Sequence, residues 1–243
     1  MRLMIYTIIG SLFMLVAIAY LYSMLGSTSN EILHVGIINL LSSPHTQEVW
    51  GENMRYVWVF IFLAFLIKVP MYPLHTWLPL AHSDAPTIGS IILAALLLKL
   101  ASYGILRYSI GIYTSTLSSQ TPLELSSIVI GVYVLAIISI INSAIIALRA
   151  IYDLKKIIAY SSIVHMNFSI FGYFSRDLIG LVGATYLIHT HALISSCLFL
   201  LVGILYKRYH TRYLPYYQGV AVVMPIYALL LMLTTFANIS LPF

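Results

Sequence analysis

The sequence predicts an all-α, polytopic membrane helix bundle of about seven apolar segments, one of them broken by prolines. Three observations carry that prediction. The chain is 61% hydrophobic and only 8% charged, whereas soluble domains carry about 25% charged residues. Its apolar runs are long: Leu3 to Leu25 contains no charge, and about 20 apolar residues cross a bilayer core. The runs are too long and too uniformly apolar for the alternating strands of a membrane barrel. A backbone facing lipid must also satisfy its own hydrogen bonds, which favours helices.

The apolar segments lie at about 3–25, 54–81, 86–107, 123–148, 155–174, 178–206 and 219–242, and 1–243 reads as a single transmembrane domain. The first exceeds a typical signal-peptide core and no A-x-A site follows it. The longest connection runs from Gly26 to Asn53, and its GIINLLSS stretch suits a short interfacial helix. Cys197 is the only cysteine, which leaves no intrachain disulfide and no thiolate metal cluster. The net charge of +5 is scattered over loops and segments rather than gathered in a patch, so nucleic acid is not an expected partner.

Alternate loops fall on two sides. One collects Arg2, Arg149, Lys155, Lys156, Lys207, Arg208 and Arg212, with Asp84 and Asp153; the other has Arg55, Arg107 and Arg176, with Glu31, Glu48, Glu52, Glu124 and Asp177. The basic excess makes the first side the cytoplasm or matrix, with the N-terminus there. Lys68 and Lys99 belong to neither side, because both lie within apolar segments.

Lys99 stands in SIILAALLLKLASYGILR, whose helix should start near Pro86 with Ser83 or Asp84 as cap. Thirteen residues of helix place it roughly 20 Å along the axis, deep in a core of about 30 Å. Such a lysine either snorkels and pairs structurally or handles protons or ions. Lys68 sits two residues before Pro70, and Pro73 follows. Each proline removes a donor and clashes with the preceding turn, so the helix should break. Broken helices at membrane depth are tolerated where protein buries them or where they line a wet cavity, and they recur at transporter sites. A lysine taken out of water can exchange a proton near neutrality; the plainer reading of Lys68 is a snorkelling helix end.

His165 lies mid-segment near Ser161, Ser162 and Asn167, and His189 and His191 lie mid-segment in ATYLIHTHALISS. Two helical positions differ by about 200°, so His189 and His191 face opposite ways and do not share a metal. Each histidine serves either as a proton relay or as a plain interhelical bond. His75 and His82 fall nearer a segment end and read as interfacial. Asp153 suits a helix cap, with Lys155 and Lys156 as interface anchors. Trp77 and the tyrosines of YLPYY suit the membrane edge. Phosphate loops, dinucleotide fingerprints and nucleophile elbows do not occur.

With those residues in view, KVPMYPLHTWLPLAHSDAP followed by GSIILAALLLKLASYGILR resembles the antiporter-like, proton-pumping subunits of respiratory complex I, nearest their chain-4 group. AHSDAP stands where that family usually has A-H-x-E-A-P; DLKKIIAYSSIVHM, IHTHALISSCLF and Gln218–Gly219 fit the same pattern, in order along nearly the whole chain. The resemblance implies a portion of a fourteen-helix fold. It implies a hydrated proton path through Lys68, Lys99, His165 and His191, with the helix break at Pro70 and Pro73 and support from Asp84, Asp153 and Lys156. His191, not His189, matches the family histidine. No cofactor is implied in this chain: FMN, iron–sulfur clusters and ubiquinone belong to other subunits, and bound lipid is compatible with it.

The resemblance also implies departures. The chain begins within what matches the sixth helix and stops within a later one, and the family's acid that pairs the lysine at Lys68 is absent. The expected partners are therefore other membrane-arm subunits, membrane lipids, and separate chains supplying the missing N-terminal and C-terminal helices, as from a split gene. The expected role is a non-redox subunit of a proton-translocating NADH:ubiquinone oxidoreductase in the mitochondrial inner membrane, or in a bacterial plasma membrane. The alternatives are an Mrp-type cation/proton antiporter subunit and a non-pumping structural remnant.

Overall fold

A computed structural model describes residues 2–42, 44–111, 122–150, 152–175 and 177–240. Arg176, and the side chains of Arg2, Glu48, Glu52 and Glu124, lie outside the described residues, as does the stretch 241–242 of the last expected segment. The elements are α1 (Arg2–Leu25), α2 (Asn30–Ser42), α3 (Pro44–Lys68), α4 (Trp77–Asp84), α5 (Thr87–Ile110), α6 (Pro122–Arg149), α7 (Leu154–Tyr173), α8 (Leu178–Tyr209) and α9 (Pro225–Asn238). No strand occurs among the described residues. Helix α7 is the hub: it packs against α6, α8 and α4, while α1 and α3 pair beside them and α5 bridges to α8.

Among the described residues four helices are long and apolar enough, by length and composition, to cross a membrane: 3–25, 87–110, 128–149 and 178–209. Helix α7 is less apolar because Lys155, Ser162, Asn167 and Ser169 occupy its buried face, where α4, α6 and α8 cover them instead of lipid. The stretch from Gly26 to Asn53 is mostly helical, as α2 and the start of α3. The last segment is not one helix. A single turn at Val220–Val223 ends at Met224, and Pro225 opens α9 from its first turn, the place where its missing N–H costs nothing.

The proline-broken helix is α3 and α4, separated by Val69–Thr76. Its opened backbone is satisfied by protein. Val69 N donates to Phe65 O at 2.7 Å and Met71 N to Leu66 O at 3.2 Å. Trp77 Nε1 donates to Ile67 O at 2.9 Å. Tyr72 N reaches Ser139 Oγ of α6 at 2.7 Å, and Asn167 Nδ2 of α7 reaches Pro70 O at 3.4 Å. Val69 and Met71 are fully buried between these helices.

The α4–α5 joint corrects the expected cap. Ala85 and Pro86 are extended, as the residue before a proline prefers. Ser83 and Asp84 therefore finish α4 rather than cap α5, and Ser83 Oγ turns back to Leu80 O at 2.8 Å. Within α5, the turns Leu93–Leu97 and Ile105–Ile110 are wound as π-helix. Close approach fixes one glycine: a Cβ on Gly104 would stand 2.2 Å from Phe65 Cε1 of α3.

Two substitutions test this account. Trp77→Phe keeps the ring but removes the donor to Ile67 O, and is expected to lower the opening free energy of the break by about 1–3 kcal/mol, read by amide exchange at Ile67–Met71. Gly104→Ala overpacks the α3–α5 contact and should cost about 1–3 kcal/mol, read as a lower melting temperature of the protein.

Candidate functional site

Helix α5 carries Lys99 and α8 carries His191, and the two meet across their interface. Lys99 Nζ lies 3.0 Å from His191 Nδ1 and 2.5 Å from Ala94 O. The carbonyl is five residues back on the same helix, in the π-wound turn Leu93–Leu97. With Lys99 as an ammonium, which only donates, His191 Nδ1 is the acceptor and the imidazole is neutral, with its proton on Nε2. That Nε2 is buried with no partner among the described residues. His165 of α7 follows: its ring centroid is 5.3 Å from that of His191. Both histidines line a cavity of about 230 Å³ with Thr190, Ile194 and Asn238.

Three expected site residues thus come together as Lys99, His191 and His165. Lys68 stands apart. It is half-buried at the end of α3, and lines a cavity of about 180 Å³ with Thr7, Phe65, Trp77 and, from α5, Leu97, Leu98 and Ala101. Among the described residues Lys68 has no hydrogen bond or ion pair, and none links it to Lys99. His189 is exposed, and its Nδ1 stays on the backbone of its own helix at Thr185 O, 2.7 Å away. Among the described residues no three metal-binding side chains gather.

The expected supporting residues lie at one end of the bundle. Asp84 is exposed. Asp153 caps α7 by accepting from Lys155 N at 3.1 Å, and it pairs with the partly exposed Lys156 at 3.7 Å. Lys155, read as an interface anchor, is instead 1% exposed and donates from Nζ to Ala85 O at 2.9 Å. The signal was in the phase of α7: Lys155 shares a face with Ile158, Ser162, Met166 and Ser169, whereas Lys156 does not.

His75 and His82, read as interfacial, are buried. The break folds their segment inward. His75 Nε2 lies 3.5 Å from Asn142 Nδ2, and His82 stacks on Phe199 of α8 with centroids 4.4 Å apart. Both ring nitrogens of His82 lack partners among the described residues. Ser139 and Asn167, the side chains that satisfy the break, carried no local sequence signal, since their partners lie 67 and 97 residues away.

This arrangement, a broken helix facing a lysine-bearing helix, can be placed among known proteins. The transmembrane family described as NADH:quinone oxidoreductase/Mrp antiporter matches residues 1–243. The chain belongs to that family. NADH-ubiquinone oxidoreductase chain 4 of Marchantia polymorpha is 44% identical over 237 residues, which is 98% of this chain and 44% of that protein. A chain of respiratory complex I from Thermus thermophilus with bound NADH superposes with a TM-score of 0.79 at 28% identity, covering 99% of this chain and 48% of that one. A chain of the Mrp complex from Dietzia sp. DQ12-45-1b superposes with a TM-score of 0.72 at 25% identity, covering 87% and 21%. This family member therefore spans less than half the length of these relatives.

The paired histidines give a contrast to measure. His191→Leu removes the acceptor of a charged donor and is expected to destabilise by about 1.5–3 kcal/mol. His189→Ala removes only a local bond at an exposed position and should stay within about 0.5 kcal/mol. Thermal unfolding of the protein separates the two.

Proposed function

We propose that this chain is a proton-translocating portion of the membrane arm of NADH:ubiquinone oxidoreductase. The observation that carries the reading is the Lys99–His191–His165 row, with an ammonium 3.0 Å from a neutral imidazole and a second imidazole next to it. Family membership and the relatives' names support it.

Lys99 passes a proton to His191 Nδ1, and His191 releases its Nε2 proton toward the cavity it shares with His165. Imidazole suits this step because one nitrogen can accept while the other donates. The π-wound turn supplies Ala94 O, which holds the ammonium in line. Lys68 acts at a distance, as a charge at the broken helix whose state biases the row. Its counter-charge is a carboxylate from a helix outside these residues. The redox work of the complex, with FMN, iron–sulfur clusters and ubiquinone, belongs to other subunits. The N-terminus faces the matrix of a mitochondrion and the chain sits in the inner membrane, a placement supported by the basic excess on that side.

The Mrp-type alternative is favoured by the superposition on the Mrp complex. It requires cation-dependent proton exchange with no quinone reductase activity in the purified complex, and co-purifying reductase activity removes it. The path itself is tested with Lys99→Ala in vesicles. Uncoupled NADH oxidation is expected to persist while the protons moved per NADH fall by this chain's share. An unchanged ratio would sink the proposed path.

A further inference from the structure

The carbonyl end of α4 is bound by side chains from three other elements. Lys155 Nζ, from the first turn of α7, donates to Ala85 O at 2.9 Å. Arg212 Nη1, from the segment after α8, donates to Ser83 O, and its guanidinium lies 4.8 Å over the Tyr206 ring of α8. Ser90 Oγ of α5 reaches His82 O at 3.3 Å, and Ala85 N closes on Ala81 O. The two cations come from positions 70 and 129 residues distant, and Leu154 N to Arg212 O at 3.4 Å ties their segments together.

A helix C-terminus presents unpaired carbonyls and partial negative charge, so cations suit it. A neutral cap would serve a simple stop, though. Here a lysine only 1% exposed directs its charge at a single carbonyl. The bonded carbonyls flank the extended Ala85–Pro86 joint, and from that joint α5 runs directly to Lys99. Lys155 rides on α7, which carries His165, and Arg212 on the segment that follows α8, which carries His191.

We infer that Lys155 and Arg212 are positioning residues for Lys99: as a two-cation clamp they lock the α4–α5 joint to the histidine-bearing helices and so set the reach from Lys99 to His191. This rests on the proton-transfer reading of Lys99. The clamp works by geometry: if the joint slides, α5 moves relative to α8 and the 3.0 Å contact opens.

The test uses the assembled complex in vesicles with Arg212→Gln, Arg212→Lys and Lys155→Met. Two quantities are measured: amide exchange across 81–92, and protons moved per NADH. Arg212→Gln and Lys155→Met should speed exchange at least about tenfold, as loss of a hydrogen bond to a charged group does. They should also lower the proton ratio, with uncoupled turnover retained. Arg212→Lys should restore both. Faster exchange with a wild-type ratio makes these residues ordinary caps and overturns the inference, as does unchanged exchange. If Lys155→Met fails to assemble, Arg212→Gln decides alone. Lys99→Ala is run alongside: if its ratio is normal, the proton path falls, while the exchange data still judge the clamp.

Discussion

The structure depends on one constraint: a backbone opened inside apolar surroundings must find its hydrogen bonds in protein. Pro70 and Pro73 open α3–α4, and each freed group draws in a specific neighbour. Ile67 O takes Trp77, Tyr72 N takes Ser139 and Pro70 O takes Asn167. These bonds bring α6 and α7 against the break. Once α7 is held there, its buried polar face cannot also face lipid, which is why a helix with so many polar residues becomes the hub. His165 and Lys155 then take their places by helical phase.

A second pattern follows from the scarcity of acids. Seven Asp and Glu side chains serve the whole chain, and the buried or partly buried cations are held by backbone oxygens instead. Lys99 has Ala94 O, Lys155 has Ala85 O and Arg212 has Ser83 O. A carbonyl neutralises a cation less completely than a carboxylate does. It therefore leaves the proton freer to move, whereas a tight ion pair in low dielectric would hold it. The carbonyl that Lys99 uses lies in the π-wound turn before it.

Much of this was legible in the sequence. Long apolar runs marked the helices, and two prolines after a lysine marked the break. Helical phase separates His191 from His189, since His191 keeps step with Ile188, Ser195 and Leu198 on the buried side of α8. The same reasoning applied to α7 would have chosen Lys155 over Lys156. What was not legible is pairing across helices. Lys99 and His191 are 92 residues apart, and no local pattern states that α5 lies against α8. Helices apolar on every side give the phase little contrast, which is why His75 and His82 read as interfacial. The joint at Ala85–Pro86 was misread because a serine and an aspartate before a proline look like a cap, although they end the preceding helix.

Lys68 and Lys99 illustrate two ways to keep a lysine at membrane depth. Lys99 is held by its own helix and by an imidazole, so two of its partners lie within the described residues. Lys68 lines a mostly apolar cavity at a helix end, with no bonded partner among them. A cation left so would be costly in the membrane, and the helix end helps only in part, through its dipole. In the proposed path the difference separates their work: Lys99, held on a fixed row, passes the proton, while Lys68 responds to a charge outside these residues and so carries to this chain what happens beyond it.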